Sequence, residues 1–158
     1  MKFGKNVLWQ MLYWFSRLWL GVTFLATGAG KALDLPGFIG VMKTYELGLP
    51  EWALWTGGTA VTLFELALGG WILSGWRLRQ AAQFSVGMNL GYLGLLTSAL
   101  WRGLELQNCG CYGVFLARPL RWYTPLEDVF LIALSVALFY YSADRQTPEA
   151  GKKNEISH

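Results

Sequence analysis

The chain has 158 residues, 54% of them hydrophobic and 16% aromatic, with 9 Trp, a formal net charge of +3 and a mean hydropathy of +0.33. That is too apolar for an ordinary soluble domain of this size and reads as an integral membrane protein. The charges are few and scattered in short clusters, so there is no basic stripe to follow a phosphate backbone, which argues against nucleic-acid binding; nothing resembles a linker, which leaves one domain.

In chain order, Lys2 and Lys5 precede an apolar stretch from Val7 to Ala32 that contains Arg17. It is too long for the apolar core of a cleaved leader and the right length to cross a bilayer, so it is expected to be a first transmembrane helix. Further spans are expected at 52–74, 79–101 and 125–142, the first running over 8–32; each approaches the ~20 residues that cross ~30 Å of hydrocarbon. The segment from Asp34 to Tyr45 is too short and polar to cross, yet carries apolar residues at helical spacing after Pro36, and is expected to lie along the surface as an interfacial helix. Trp52, Trp55, Trp71, Trp76, Trp101 and Trp122 fall near span ends, where indole rings favour the headgroup layer. The expected fold is therefore all-α, an integral membrane four-helix bundle over 1–143 with a short interfacial helix between the first and second spans. The segment 144–158 is polar, contains Pro148 and Gly151, and is expected to be a disordered cytoplasmic tail.

Positive charge orients the bundle. Lys2, Lys5, Arg77, Arg79, Arg145, Lys152 and Lys153 fall on one side and Lys31, Lys43, Arg102, Arg118 and Arg121 on the other. The larger set marks the cytoplasmic side, which gives a multi-pass inner-membrane protein with both termini cytoplasmic. The loop after the third span then faces the periplasm, where disulfides persist.

That loop holds the only two cysteines, in the run Asn108-Cys109-Gly110-Cys111-Tyr112-Gly113. A bridge between residues one glycine apart closes almost no loop and contributes little stability by that route. The small ring would be strained and readily reduced, Gly110 tolerates the backbone it requires, and Arg102, Arg118 and Arg121 nearby favour thiolates. The pair reads as a redox-active dithiol, against the alternative of inert or permanently bridged cysteines. Metal binding needs more soft ligands than the chain supplies, its only histidine being His158, although two thiolates alone can hold Cu(I).

Ionisable groups inside spans require a reason. Arg17 and Glu65 each lie about nine residues from the cytoplasmic end of their spans, roughly 13 Å deep, so they are expected to meet as an ion pair between the first two helices, or else as a proton or quinone site. Lys31 shares the outer face with the cysteine loop; it is expected to snorkel to the headgroups, the alternative being that it stabilises a thiolate. Glu127 and Asp128 follow Pro125 and complement the positive end of the last helix, with a proton acceptor for the thiols as the other reading. Gly69, Gly70, Gly87, Gly91 and Gly94 are expected to permit close helix packing.

Arg17-Leu18 with Leu20-Gly21 and Phe24, Gly28, Gly30-Lys31 and Asp34, Glu65 with Gly69, and the Cys109-Gly110-Cys111-Tyr112-Gly113 run are spread over residues 15–140. Together they resemble the DoxX-like membrane proteins and, within them, the MauE branch of methylamine utilisation; Tyr112 stands where the usual residue is Phe. The resemblance implies a four-helix membrane fold and thiol redox alongside a separate thioredoxin-like periplasmic protein, with Cys109 and Cys111 as the redox residues and Arg17, Lys31 and Glu65 at family positions. Other relatives are linked to membrane oxidoreductase assemblies, one of them quinone-reducing. The expected activity is a thiol-disulfide oxidoreductase that passes electrons toward a quinone. The alternative is a noncatalytic accessory subunit that packs through its aromatic-rich helices against a larger membrane complex.

Overall fold

Five helices account for the regular structure of the computed structural model, which describes residues 3–115 and 117–154, with side chains from 7 to 142 apart from 116; there is no strand among the described residues. They are α1 (Phe3–Leu33), α2 (Leu35–Lys43), α3 (Glu51–Ser74), α4 (Leu78–Trp101) and α5 (Thr124–Asn154). Their boundaries follow local chemistry. The Asp34 carboxylate accepts a hydrogen bond from the Gly37 N–H at 2.9 Å, satisfying a free donor at the start of α2, with Pro36 in the first turn. α3 follows Pro50 and ends on Gly75 at φ +80°, a left-handed cap that glycine adopts without a side-chain penalty.

The four long helices form a closed ring in which α1 packs on α3, α3 on α4, α4 on α5 and α5 back on α1, while α2 lies mainly against α3. Glycine sets the spacing of the first pair. A Cβ on Gly69 would stand 2.9 Å from the Gly21 carbonyl oxygen and 2.8 Å from the Leu25 side chain, so glycine is what lets the α1 and α3 backbones approach here. Leu20 and Phe24, Leu68 and Ile72, Leu78, Ala81 and Ala82, and Leu134 and Leu138 fill the centre from all four helices.

The interior also holds Ser16, Thr62, Ser85, Asn89 and Ser135, all buried, with Ser85 and Ser135 hydroxyls 2.7 Å apart across α4 and α5. The outside carries Trp9, Trp14, Phe15, Trp19, Val22, Leu63, Phe64, Phe84, Leu90 and Phe130. α3 and the Thr124–Ser142 part of α5 are long and apolar enough to cross a membrane. Arg17 and Lys31 in α1, and Arg79, Gln80, Gln83 and Asn89 in α4, make those two helices less apolar.

Arg17 does not meet Glu65. Its guanidinium donates to the Ile72 carbonyl at 3.1 Å, to the Leu73 carbonyl at 2.5 Å and to the Tyr13 hydroxyl at 3.2 Å, so it satisfies the free carbonyls at the C-terminal end of α3. The helix α5 continues to Asn154, over most of the segment 144–158 for which composition gives disorder; 155–158 lie outside the described residues.

Candidate functional site

Lys31 stands in the last turn of α1 and is 0% exposed, so it does not snorkel; Glu65, in the middle of α3, is 1% exposed. The ammonium donates to both carboxylate oxygens of Glu65, at 2.6 and 2.7 Å, and to the Tyr92 hydroxyl from α4 at 2.8 Å. The Tyr92 hydroxyl in turn donates to Glu65. The ammonium also sits 4.8 Å from the centre of the Tyr92 ring and 5.3 Å from that of Phe38 on α2. All three ammonium protons have acceptors, which is what makes a buried charge tolerable, and the pair joins α1 to α3 with α4 tied in through Tyr92.

The cysteine loop covers this triad at one end of the bundle. Gly113 has φ +70° and its backbone lies directly on the peptide joining Gly30 to Lys31. Gly110, at φ +74°, sits against Val41 and Phe38 of α2, with room for nothing larger: a Cβ there would come within 3.0 Å of Val41. The Asn108 side chain braces the turn from inside, accepting from the Gly110 N–H at 2.9 Å and donating to the Gly113 carbonyl at 3.0 Å. The Tyr45 hydroxyl donates to the Cys109 carbonyl at 2.6 Å, and the Cys109 N–H donates to the Arg118 carbonyl at 2.8 Å. Arg102 holds Tyr45 in place by donating to its carbonyl at 2.6 Å.

Both cysteines are free thiols; Cys109 is 6% exposed and Cys111 is half-buried. A hydrogen bond from the Cys111 thiol, helped by the Arg118 guanidinium, lowers Cys109 to about 6 against the opposing effect of burial. The same hydrogen bond and burial raise Cys111. The two sulfurs therefore hold a single proton between them at neutral pH and behave as one titrating unit. Burial, with the nearby sulfurs, also raises Tyr45, which stays a neutral hydrogen-bond donor. Outside the loop, Arg118 pairs with Glu127 at the exposed start of α5, its guanidinium 5.7 Å from the Tyr112 ring centre.

A narrow cavity of about 40 Å³ connects the two halves of the site. Its wall includes Cys111 from the loop, Glu65 and Tyr92 from the triad, Asn89, and Glu127 and Asp128 from α5. Asp128 is buried, and its Oδ2 has no hydrogen-bond partner. A space of this size has room for a water molecule. Among the described residues no group of three or more His, Cys, Asp or Glu is placed to hold a metal ion.

Of the residues singled out by sequence, Lys31, Glu65, Cys109 and Cys111 come together at one end of the bundle, and Arg17 lies at the other end of α3. Tyr92, Tyr45, Phe38 and Asn108 are members that the sequence reading missed. A tyrosine hydroxyl inside an apolar span is a signal of the same kind as Glu65, because it too needs a partner there.

A family model described as methylamine utilisation protein MauE matches residues 9–141. The methylamine utilization protein MauE of Paracoccus denitrificans is 25% identical over 128 residues, which are 81% of this chain and 68% of that protein. No solved structure matches the chain.

Proposed function

This chain belongs to the MauE family of methylamine utilisation proteins, and from that premise we propose that it is a membrane thiol-disulfide redox protein whose working groups are Cys109 and Cys111. The observation that carries the reading is the asymmetric thiol pair: a buried Cys109 lowered to about 6 beside a half-buried Cys111. Such a pair ionises at neutral pH, and the sulfur of lower pKa is the better leaving group in exchange. A structural pair of cysteines would have no need of this arrangement.

The proposed setting is a four-helix membrane bundle made of α1, α3, α4 and α5, in the inner membrane, with both termini cytoplasmic and the cysteine loop periplasmic. The distribution of side chains supports it. Ser16, Thr62, Ser85, Asn89, Lys31 and Glu65 are inside while Trp, Phe and Leu cover the outside, which in water would leave a large apolar surface uncovered.

In the proposed reaction a thiolate of a separate thioredoxin-like protein attacks the more accessible sulfur, Cys111, of the closed Cys109–Cys111 disulfide. Cys109 leaves as a thiolate, and the partner's second thiolate then displaces Cys111, which takes up one proton, so the partner is oxidised to its disulfide and this chain is reduced to a thiol–thiolate pair. The oxidant that restores the disulfide would be a membrane quinone, which takes up two electrons from the pair and two protons, one from the Cys111 thiol and one from water. Lys31, Glu65 and Tyr92 position the loop from beneath. Work in methylamine utilisation is the setting that the relative's name suggests for this chain.

The test is partner capture with Cys109→Ser and Cys111→Ser in native membranes. One of the two variants is expected to hold a disulfide-linked partner that reductant releases, with the protein folded and its activity lost. Normal function of both variants, with no captured partner, would replace this reading with that of an accessory packing subunit.

A further inference from the structure

Resting on the redox reading above, a stoichiometric problem remains inside the site. The reduced pair holds one proton at neutral pH and the disulfide holds none, so each closure must expel a proton from a buried place and each opening must return one. Cys109 is buried among Tyr45, Leu96, Ala99 and Leu106, with Val41 packed against them. Cys111, the sulfur that keeps its proton, lines the cavity, and the carboxylates on the cavity wall differ sharply. Glu65 is saturated by Lys31 and Tyr92, and Glu127 is held by Arg118 at the surface. Asp128 alone of these has a buried carboxylate oxygen with no partner.

We propose that Asp128 is the proton acceptor of the thiol pair, taking its last proton across the cavity when the disulfide closes and returning it when the disulfide opens. With oxidised glutathione as a probe oxidant, one protein sulfur first forms a mixed disulfide and releases one glutathione thiolate. In the second step the remaining thiol gives its proton to the Asp128 carboxylate and attacks the mixed disulfide. The products are the Cys109–Cys111 bond, a second glutathione thiolate and a neutral Asp128. Two electrons pass from the dithiol to glutathione, and Asp128 later releases its proton to water.

The groups facing Asp128 fit a transient proton carrier. Lys31 approaches from α1, Glu65 from α3 and Tyr92 from α4; Cys109, Cys111 and Tyr112 face it from the loop, Tyr45 from beyond α2 and Glu127 from its own helix. The Lys31 ammonium is already taken up by Glu65 and Tyr92, and Glu127 by Arg118, so the free Asp128 oxygen is left open toward the cavity. Its position in the second turn of α5 also places it beyond the first free N–H groups, where a capping role would be made.

The experiment follows the full chain in lipid nanodiscs, reacted with oxidised glutathione across a pH series, acid-quenched and weighed by mass spectrometry as dithiol, glutathione adduct and closed disulfide. For Asp128→Asn the adduct is expected to form at the wild-type rate and to accumulate, with closure about 10²-fold slower at neutral pH and recovering as hydroxide replaces the missing base. Closure by Asp128→Asn at the wild-type rate with an unchanged pH profile would overturn the proposal. If Asp128→Asn does not fold, Asp128→Glu decides: its relocated carboxylate must shift the pH midpoint of closure, and an unmoved midpoint overturns the proposal equally. Failure of the wild type to close the disulfide at all would sink the redox reading itself, a distinct result.

Discussion

Gly30 in the last turn of α1 and Gly113 in the cysteine loop meet backbone to backbone: a Cβ on Gly30 would stand 2.5 Å from the Tyr112 carbonyl oxygen, and one on Gly113 would stand 2.9 Å from the Lys31 nitrogen. This contact places the thiol loop over the buried Lys31–Glu65 pair. Gly113→Ala adds a methyl group at a left-handed backbone, which alone costs about 1–2 kcal/mol, and it also lifts the loop. The expected outcome is a lower unfolding temperature and faster alkylation of Cys109 in the folded protein. Alkylation at the wild-type rate would mean that the contact does not hold the loop.

The buried ion pair carries a second prediction. Glu65→Leu or Lys31→Met leaves one charge without its partner and is expected to destabilise by about 3–5 kcal/mol, whereas the double variant with both substitutions recovers much of that loss. Thermal unfolding in detergent, arranged as a double-mutant cycle, measures the coupling. The same cycle between Arg17 and Glu65 is expected to give none, since Arg17 serves the end of α3. Arg17→Ala should cost about 1.5–3 kcal/mol through its lost charged hydrogen bonds and leave the alkylation rates of both cysteines unchanged.

The thiol pair makes stability depend on pH with a definite sign. Cys109 is lowered to about 6 in the folded chain, against about 8.5 for a free thiol. Its contribution is therefore present in full above the unfolded value and is lost as pH falls toward 6. Cys111 is raised, so it opposes folding once the unfolded thiol ionises at higher pH. Stability attributable to the pair should rise from pH 6, level off and then decline in alkali. Cys111→Ala removes the donor to Cys109 and should flatten this profile while moving the alkylation midpoint of Cys109 upward. An unmoved midpoint would place the cause elsewhere.

Much of the fold is legible in the sequence because apolar runs and their punctuation are local. The spans 52–74 and 79–101 differ from α3 and α4 by one residue at the start, where Pro50 and the Gly75 turn interrupt the helical run, and Asp34 with Pro36 marks the start of α2. The partner of Glu65 is not legible, because counting residues from the span ends assumes that the start of α1 is level with the end of α3. In fact α2 occupies the space beside the early part of α3, with Ile39 and Met42 against Gly58. The end of α3 lies level with Arg17 and not with the start of α1, which brings Lys31 rather than Arg17 level with Glu65. The cysteine pair was legible as chemistry. Its support from Tyr45, Asn108 and the Gly30–Gly113 contact was not, since these residues are distant in sequence or common in turns and become informative only when the loop is folded.

The most direct test of the central claim is the reduction potential of the Cys109–Cys111 pair in native membranes, titrated against defined thiol buffers and read by acid quench and alkylation with a heavy maleimide. The expected result is reversible two-electron behaviour at a potential above the roughly −300 mV below which structural disulfides lie. A pair that stays reduced at every potential, or a bridge that resists reductant, would contradict a redox role for these cysteines.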